Sequence, residues 1–192
     1  KRETGRKGKR RKLPTTAKES QRWLDGADHA ARACATARQL TIIADRESDI
    51  YAAFALRPAG AHMIVRAAQD RSLGDGGLLF GKVDAQPEAG RTTLELPAKP
   101  GRAARKATLA VHFACVALKR PKNTVDEDLP DTLNLNIVDV REVDAGLGDC
   151  VHWRLLTTRP VTDMRQALVV VDLYRRRWAI EQLFRTMKTQ GF

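Results

Sequence analysis

The chain has 192 residues, 43% of them hydrophobic and 30% charged, with 34 Lys and Arg against 23 Asp and Glu. That composition excludes a wholly disordered polycation, and the length suits one domain, with room for an insertion. The formal net charge of +11 points toward a polyanionic partner, nucleic acid first among them.

The charge is uneven. Residues 1–12 hold eight Lys or Arg and one Glu, a net of +7, leaving +4 for all the rest. With glycines and no apolar periodicity, residues 1–14 read as a flexible basic arm, either lying along phosphates or serving as a solvated tail. The three cysteines, Cys34, Cys115 and Cys150, are odd in number and lack zinc-site spacing, as expected of a reducing cytoplasm. Cys150 and His152 are close neighbours, but two ligands without two more read as ordinary strand residues. Apolar runs are short, so neither a membrane span nor a signal peptide is expected. The sequence does not begin with Met, as expected of a fragment.

In chain order, Lys18 to about Arg38 reads as an Ala-rich helix weakened by Gly26. Leu40 to Ala44 is a β-branched run without polar alternation, the pattern of a strand covered on both faces, and it stops at Asp45. Ser48 to Leu56 predicts a helix, and His62 to Arg66 a second buried strand. This is a βαβ unit, with Asp45 and Arg66 at the carboxyl ends of its strands, where functional groups collect in α/β sheets. From residue 69 to 160, Gly- and Pro-punctuated strands follow at Thr92–Leu96, Ala107–Leu118, Thr132–Glu142 and Val151–Thr158, an antiparallel block. Asp126, Glu127 and Asp128 within it form a solvated loop, and His112 has no evident partner there. Thr162 or Asp163 caps a final helix running from Met164 to about Lys188 and closed by Gly191.

On that helix Tyr174, Arg177, Glu181, Arg185 and Lys188 share an arc of about 80°. Leu173, Ile180, Phe184 and Met187 fill an adjacent core-facing arc, and Arg175, Gln182 and Thr186 face solvent. One acid bracketed by cations beside the buried face suits the lining of a cleft. The same spacing also suits a surface ladder, whose i,i+4 pairs each stabilise a helix by about 0.2–0.5 kcal/mol.

The spacing Tyr174-x2-Arg177-x3-Glu181-x6-Lys188, together with Ile43-Ala44-Asp45-Arg46-Glu47-Ser48-Asp49-Ile50-Tyr51, resembles the insertion-sequence-four family of bacterial DDE transposases, to which the transposase of transposon five belongs. Lys18-Glu19-Ser20 before Arg22-Trp23, Val65-Arg66, and Val151 to Thr158 ahead of Pro160-Val161 extend the resemblance over about residues 15 to 192. It implies an α/β, ribonuclease-H-like catalytic core with an antiparallel β-rich insertion before the last catalytic helix. The core's first part would span 15–68, the insertion 69–160 and the catalytic helix 161–192. It further implies Asp45 and Glu181 as catalytic ligands of two Mg²⁺ ions, with Mn²⁺ able to substitute.

By the same resemblance Tyr174, Arg177, Lys188, Arg66 and Arg185 contact DNA phosphates. Trp153 fills the gap left by a flipped base near the transposon end, or else is a core tryptophan on its strand. Glu47 and Asp49 take supporting roles. The expected partners are double-stranded DNA, as transposon ends and target, and a second copy of the full-length protein in the complex with DNA; the expected location is the bacterial nucleoid. Only Asp25 and Asp28 precede Asp45, both in the Ala-rich helical stretch. The resemblance therefore implies that the first catalytic Asp is missing and that this fragment alone is inactive. The alternative is an inactive basic DNA-binding module of a degenerate mobile element.

Overall fold

The computed structural model describes residues 21–98, 101, 103–122, 124, 128–143 and 150–189, except the side chains of residues 181, 182, 184 and 185. The basic arm, and Asp126 and Glu127, lie outside the described residues; Asp128 is exposed. The elements are α1 (Gln21–Ala33), β1 (Leu40–Ala44), a 3-10 turn (Arg46–Ser48), α2 (Tyr51–Ala55), β2 (Ala61–Arg66), α3 (Leu79–Asp84), β3 (Gly90–Leu96), β4 (Arg105–Lys119), β5 (Thr132–Val143), β6 (His152–Thr157), α4 (Met164–Arg175) and α5 (Arg177–Thr189).

All six strands form one sheet in the order β1-β2-β6-β5-β4-β3. β1 and β2 run parallel, from Leu40↔Ala61 to Ala44↔Val65. The other pairs are antiparallel, and β6 lies between β2 and β5. The β-rich stretch 69–160 therefore continues the sheet that β1 and β2 begin.

Side chains alternate across a strand, so the sheet separates two apolar clusters. Phe54, Met63, Val65, Leu118, Ile137 and Leu156 pack on the face that α1, α2 and α3 cover. Ile64, Val111, Val138, Trp153 and Leu155 pack on the other, under Val170, Val171 and Tyr174 of α4. Each such side chain, when fully buried, contributes about 1.5–3 kcal/mol of hydrophobic stabilisation. This double coverage is why β2, β5 and β6 carry apolar residues on both faces.

Three local expectations before the last helix are corrected. α1 stops at Ala33, short of Arg38, because only Leu24 and Ala27 are buried and the residues beyond have nothing to cover. The helix expected from Ser48 begins at Tyr51, since Ile50 is extended and Asp49 is drawn away by side-chain bonds. α3 interrupts the stretch read as strands and buries Leu79 and Val83.

The last helix is two helices. Arg176 N donates to the Leu173 carbonyl and Ala179 N to the Arg176 carbonyl, three-residue bonds that tighten the turn between α4 and α5. The core-facing arc holds for α4 but not for α5, where Ile180 is 52% and Met187 43% exposed. Tyr174, expected on the polar arc, is 1% exposed. No helix among the described residues is long and apolar enough to cross a membrane.

Candidate active site

Asp45 follows the last residue of β1 and caps the 3-10 turn, its Oδ1 accepting from Arg46 N at 2.8 Å. The turn closes through Ser48 N to the Asp45 carbonyl at 3.0 Å and Asp49 N to the Arg46 carbonyl at 3.1 Å. This leaves the carboxylate 44% exposed at the strand's carboxyl end, the position at which α/β sheets present functional groups.

The α4–α5 junction meets it there. Tyr174 Oη donates to Asp45 Oδ1 at 3.3 Å, and Arg177 Nη2 lies 3.5 Å from Oδ2. On an unbroken α-helix these two residues diverge by about 60°, whereas in a three-residue turn i and i+3 stack. In either geometry i and i+3 are neighbours on one face, so both reach one carboxylate, and the Arg177 guanidinium lies 5.7 Å from the Tyr174 ring.

The Tyr174 ring is held edge-on by Trp153 at 5.2 Å, and Trp153 by Trp178 at 5.6 Å. Trp153 is 5% exposed and packs in the cluster under α4. Trp178 was not anticipated, although its i,i+4 spacing from Tyr174 places both on one helix face.

Arg66 ends β2 and donates through Nη2 to the His152 carbonyl at 2.9 Å, which steadies it across the β2–β6 pair. Burial, and then the Asp45 charge, raise the Tyr174 phenol above its ordinary pKa, against the opposing pull of Arg177 and Arg66. The phenol therefore stays a donor throughout the physiological range. Arg177 pairs with Asp45, and Arg66 lies near enough to act with both on the Tyr174 phenol; two guanidinium groups and one carboxylate about that phenol leave a surplus positive charge among these groups, suited to a phosphate.

Glu181 lies one turn beyond Arg177 on α5, but its side chain, like that of Arg185, lies outside the described residues. Lys188 is exposed near the end of α5. Among the described residues no three His, Cys, Asp or Glu side chains gather as a metal set. Asp25 and Asp28 stand exposed on α1, Asp25 accepting from Gln21 at 2.9 Å. The donor present does suit a hard divalent cation: a half-exposed carboxylate, with Mg²⁺ needing only one or two such ligands beside water and phosphate.

The remaining candidates have structural partners. Glu47 pairs with Arg22 of α1 at 3.2 Å, exposed. Asp49 is wholly buried against Arg71, a residue with no signal in the sequence. His112 donates through Nδ1 to the Gln86 carbonyl at 2.9 Å. His152 Nε2 meets Asp139 at 2.8 Å, and the three cysteines are exposed and in no disulfide.

A protein-family model described as the transposase DDE domain matches residues 3–192, and the chain belongs to that family.

Proposed function

We propose that this DDE transposase domain supplies part of a site for divalent-metal-dependent phosphodiester hydrolysis and strand transfer at insertion-sequence ends. On this reading it is of the insertion-sequence-four kind, with a ribonuclease-H-like core. Membership of the family supports a transposase acting on DNA. One observation carries the finer reading: Tyr174 and Arg177 come from 129 or more residues away to converge on Asp45.

Asp45 and Glu181 would hold the metal. Mg²⁺ bound there supplies an activated water or 3′-hydroxyl and charge stabilisation at the leaving oxygen. Arg177 and Arg66 bind the phosphate and orient the scissile strand, Arg177 exchanging its carboxylate for phosphate oxygens. Tyr174, kept protonated by burial, donates a hydrogen bond and fixes the Asp45 rotamer. Lys188 and Arg185 extend the contact along the backbone, and a second copy of the protein on double-stranded DNA completes the assembly.

The test is titration of the chain with Mg²⁺ and Mn²⁺, following metal binding. An Asp45- and Glu181-dependent metal effect is expected, lost in Asp45→Asn and Glu181→Gln. Salt-sensitive DNA binding that vanishes with residues 1–12, with no metal effect, would instead establish the inactive basic module.

A further inference from the structure

We propose that the buried Asp49–Arg71 pair is a positioning device that sets Asp45 against Arg66; the proposal rests on the reading of Asp45 as a metal-holding acid. The parallel ladder between β1 and β2 ends at Ala44↔Val65. Asp45 and Arg66 are the next residue on each strand, just past the last rung that aligns these two strands. From there the chains run apart, through the turn 46–48 on one side and residues 67–71 on the other.

Asp49 rejoins them. Its Oδ2 accepts from Ala68 N at 2.7 Å and Gln69 N at 3.0 Å. Its Oδ1 accepts from Arg71 Nε at 3.0 Å and Nη2 at 2.6 Å, and Arg71 Nη2 also donates to the Asp49 carbonyl. The Asp49 side chain is 0% and that of Arg71 7% exposed. A closed ring results: strand pairing, Asp45, the 3-10 turn, Asp49, the segment after β2, and Arg66.

Stability alone does not call for charges in this place, because desolvating both groups offsets their attraction and an apolar pair often serves as well. Directional control does call for them. Four donors of fixed geometry hold one carboxylate four residues from Asp45, and the Arg fork admits one orientation. Apolar contact, which is non-directional, would allow the turn to slide relative to β2.

The test uses the full chain and Mn²⁺ as probe, with binding read by electron paramagnetic resonance well below each variant's melting temperature. Arg71→Met should bind about 10- to 100-fold more weakly than wild type, as losses behind metal ligands typically do. Arg71→Lys, which keeps the charge but not the fork, should fall between, and backbone amides 46–48 should exchange faster in both. Asp49→Asn keeps the shape and an acceptor, so it carries the comparison if Arg71→Met fails to fold. Wild-type affinity in folded Arg71 and Asp49 variants would overturn the positioning role while leaving the site reading intact. Wild-type binding that Asp45→Asn does not reduce would overturn the site reading, and the proposal with it.

Discussion

At the Asp45 carboxylate a neutral phenol and a guanidinium meet one acceptor, and the two respond differently to substitution. Tyr174→Phe keeps the ring against Trp153 and removes only a long hydrogen bond, so it should cost about 1 kcal/mol in urea denaturation. Tyr174→Ala, which empties a buried aromatic site, should cost about 3–5 kcal/mol. The raised phenol pKa means that the neutral form is favoured by folding. Its contribution is complete below the unfolded value of about 10 and is lost as pH rises through the folded one. Tyr174→Phe should therefore lose less stability than wild type above pH 10, and an unchanged alkaline slope would contradict this. Arg177→Gln should weaken DNA binding across sequences and reduce the slope of log affinity against log salt by about one. Of these residues Asp45, Tyr174 and Arg177 were legible because each lies in a spaced motif. Arg71 was not, because nothing local marks a side chain whose partner is distant in sequence.

Among the elements, the strands were legible and the helix ends were not. A β-branched run such as Leu40–Ala44 declares itself through composition, whereas the length of α1 depends on how far the sheet offers something to cover. The break at Arg176 left no Gly or Pro signal; it shows only in the two three-residue carbonyl bonds, Arg176 N to Leu173 and Ala179 N to Arg176. The start of α4 did follow local chemistry. Asp163 Oδ1 accepts from Gln166 N at 2.8 Å, and the Gln166 side chain reaches back to Thr162 N at 2.7 Å, a reciprocal cap. Asp163→Ala should cost about 1 kcal/mol by thermal or urea denaturation, and Asp163→Asn distinctly less.

Over the whole molecule the sheet separates two kinds of charge. The site and its surplus arginine lie on the face under α4, while the opposite face carries Asp139, 0% exposed, with His152, Arg141 and Arg154, the two arginines also meeting Asp84. Burial raises the Asp139 pKa, but hydrogen bonds from His152 and Arg141, with their charges, more than offset it and leave it below the ordinary value. Its stabilisation is present above about pH 4 and is lost as pH falls through the folded pKa. Asp139→Ala should cost about 3–5 kcal/mol, nearer the lower end because Asp84 still pairs both arginines, and should flatten the acid side of a stability–pH profile. The strand order, with β6 inserted between β2 and β5, was not legible, because pairing across such separations leaves no local trace. That order also sets a timetable. Bringing the Tyr174 phenol to Asp45 closes a loop of 129 residues, which favours formation after β4 and β5 have shortened the intervening chain. The ring that makes this contact is the one packed on Trp153. Tryptophan fluorescence during refolding should therefore change in a phase later than the far-ultraviolet signal of the sheet, and the moment at which it changes dates the assembly of the site itself.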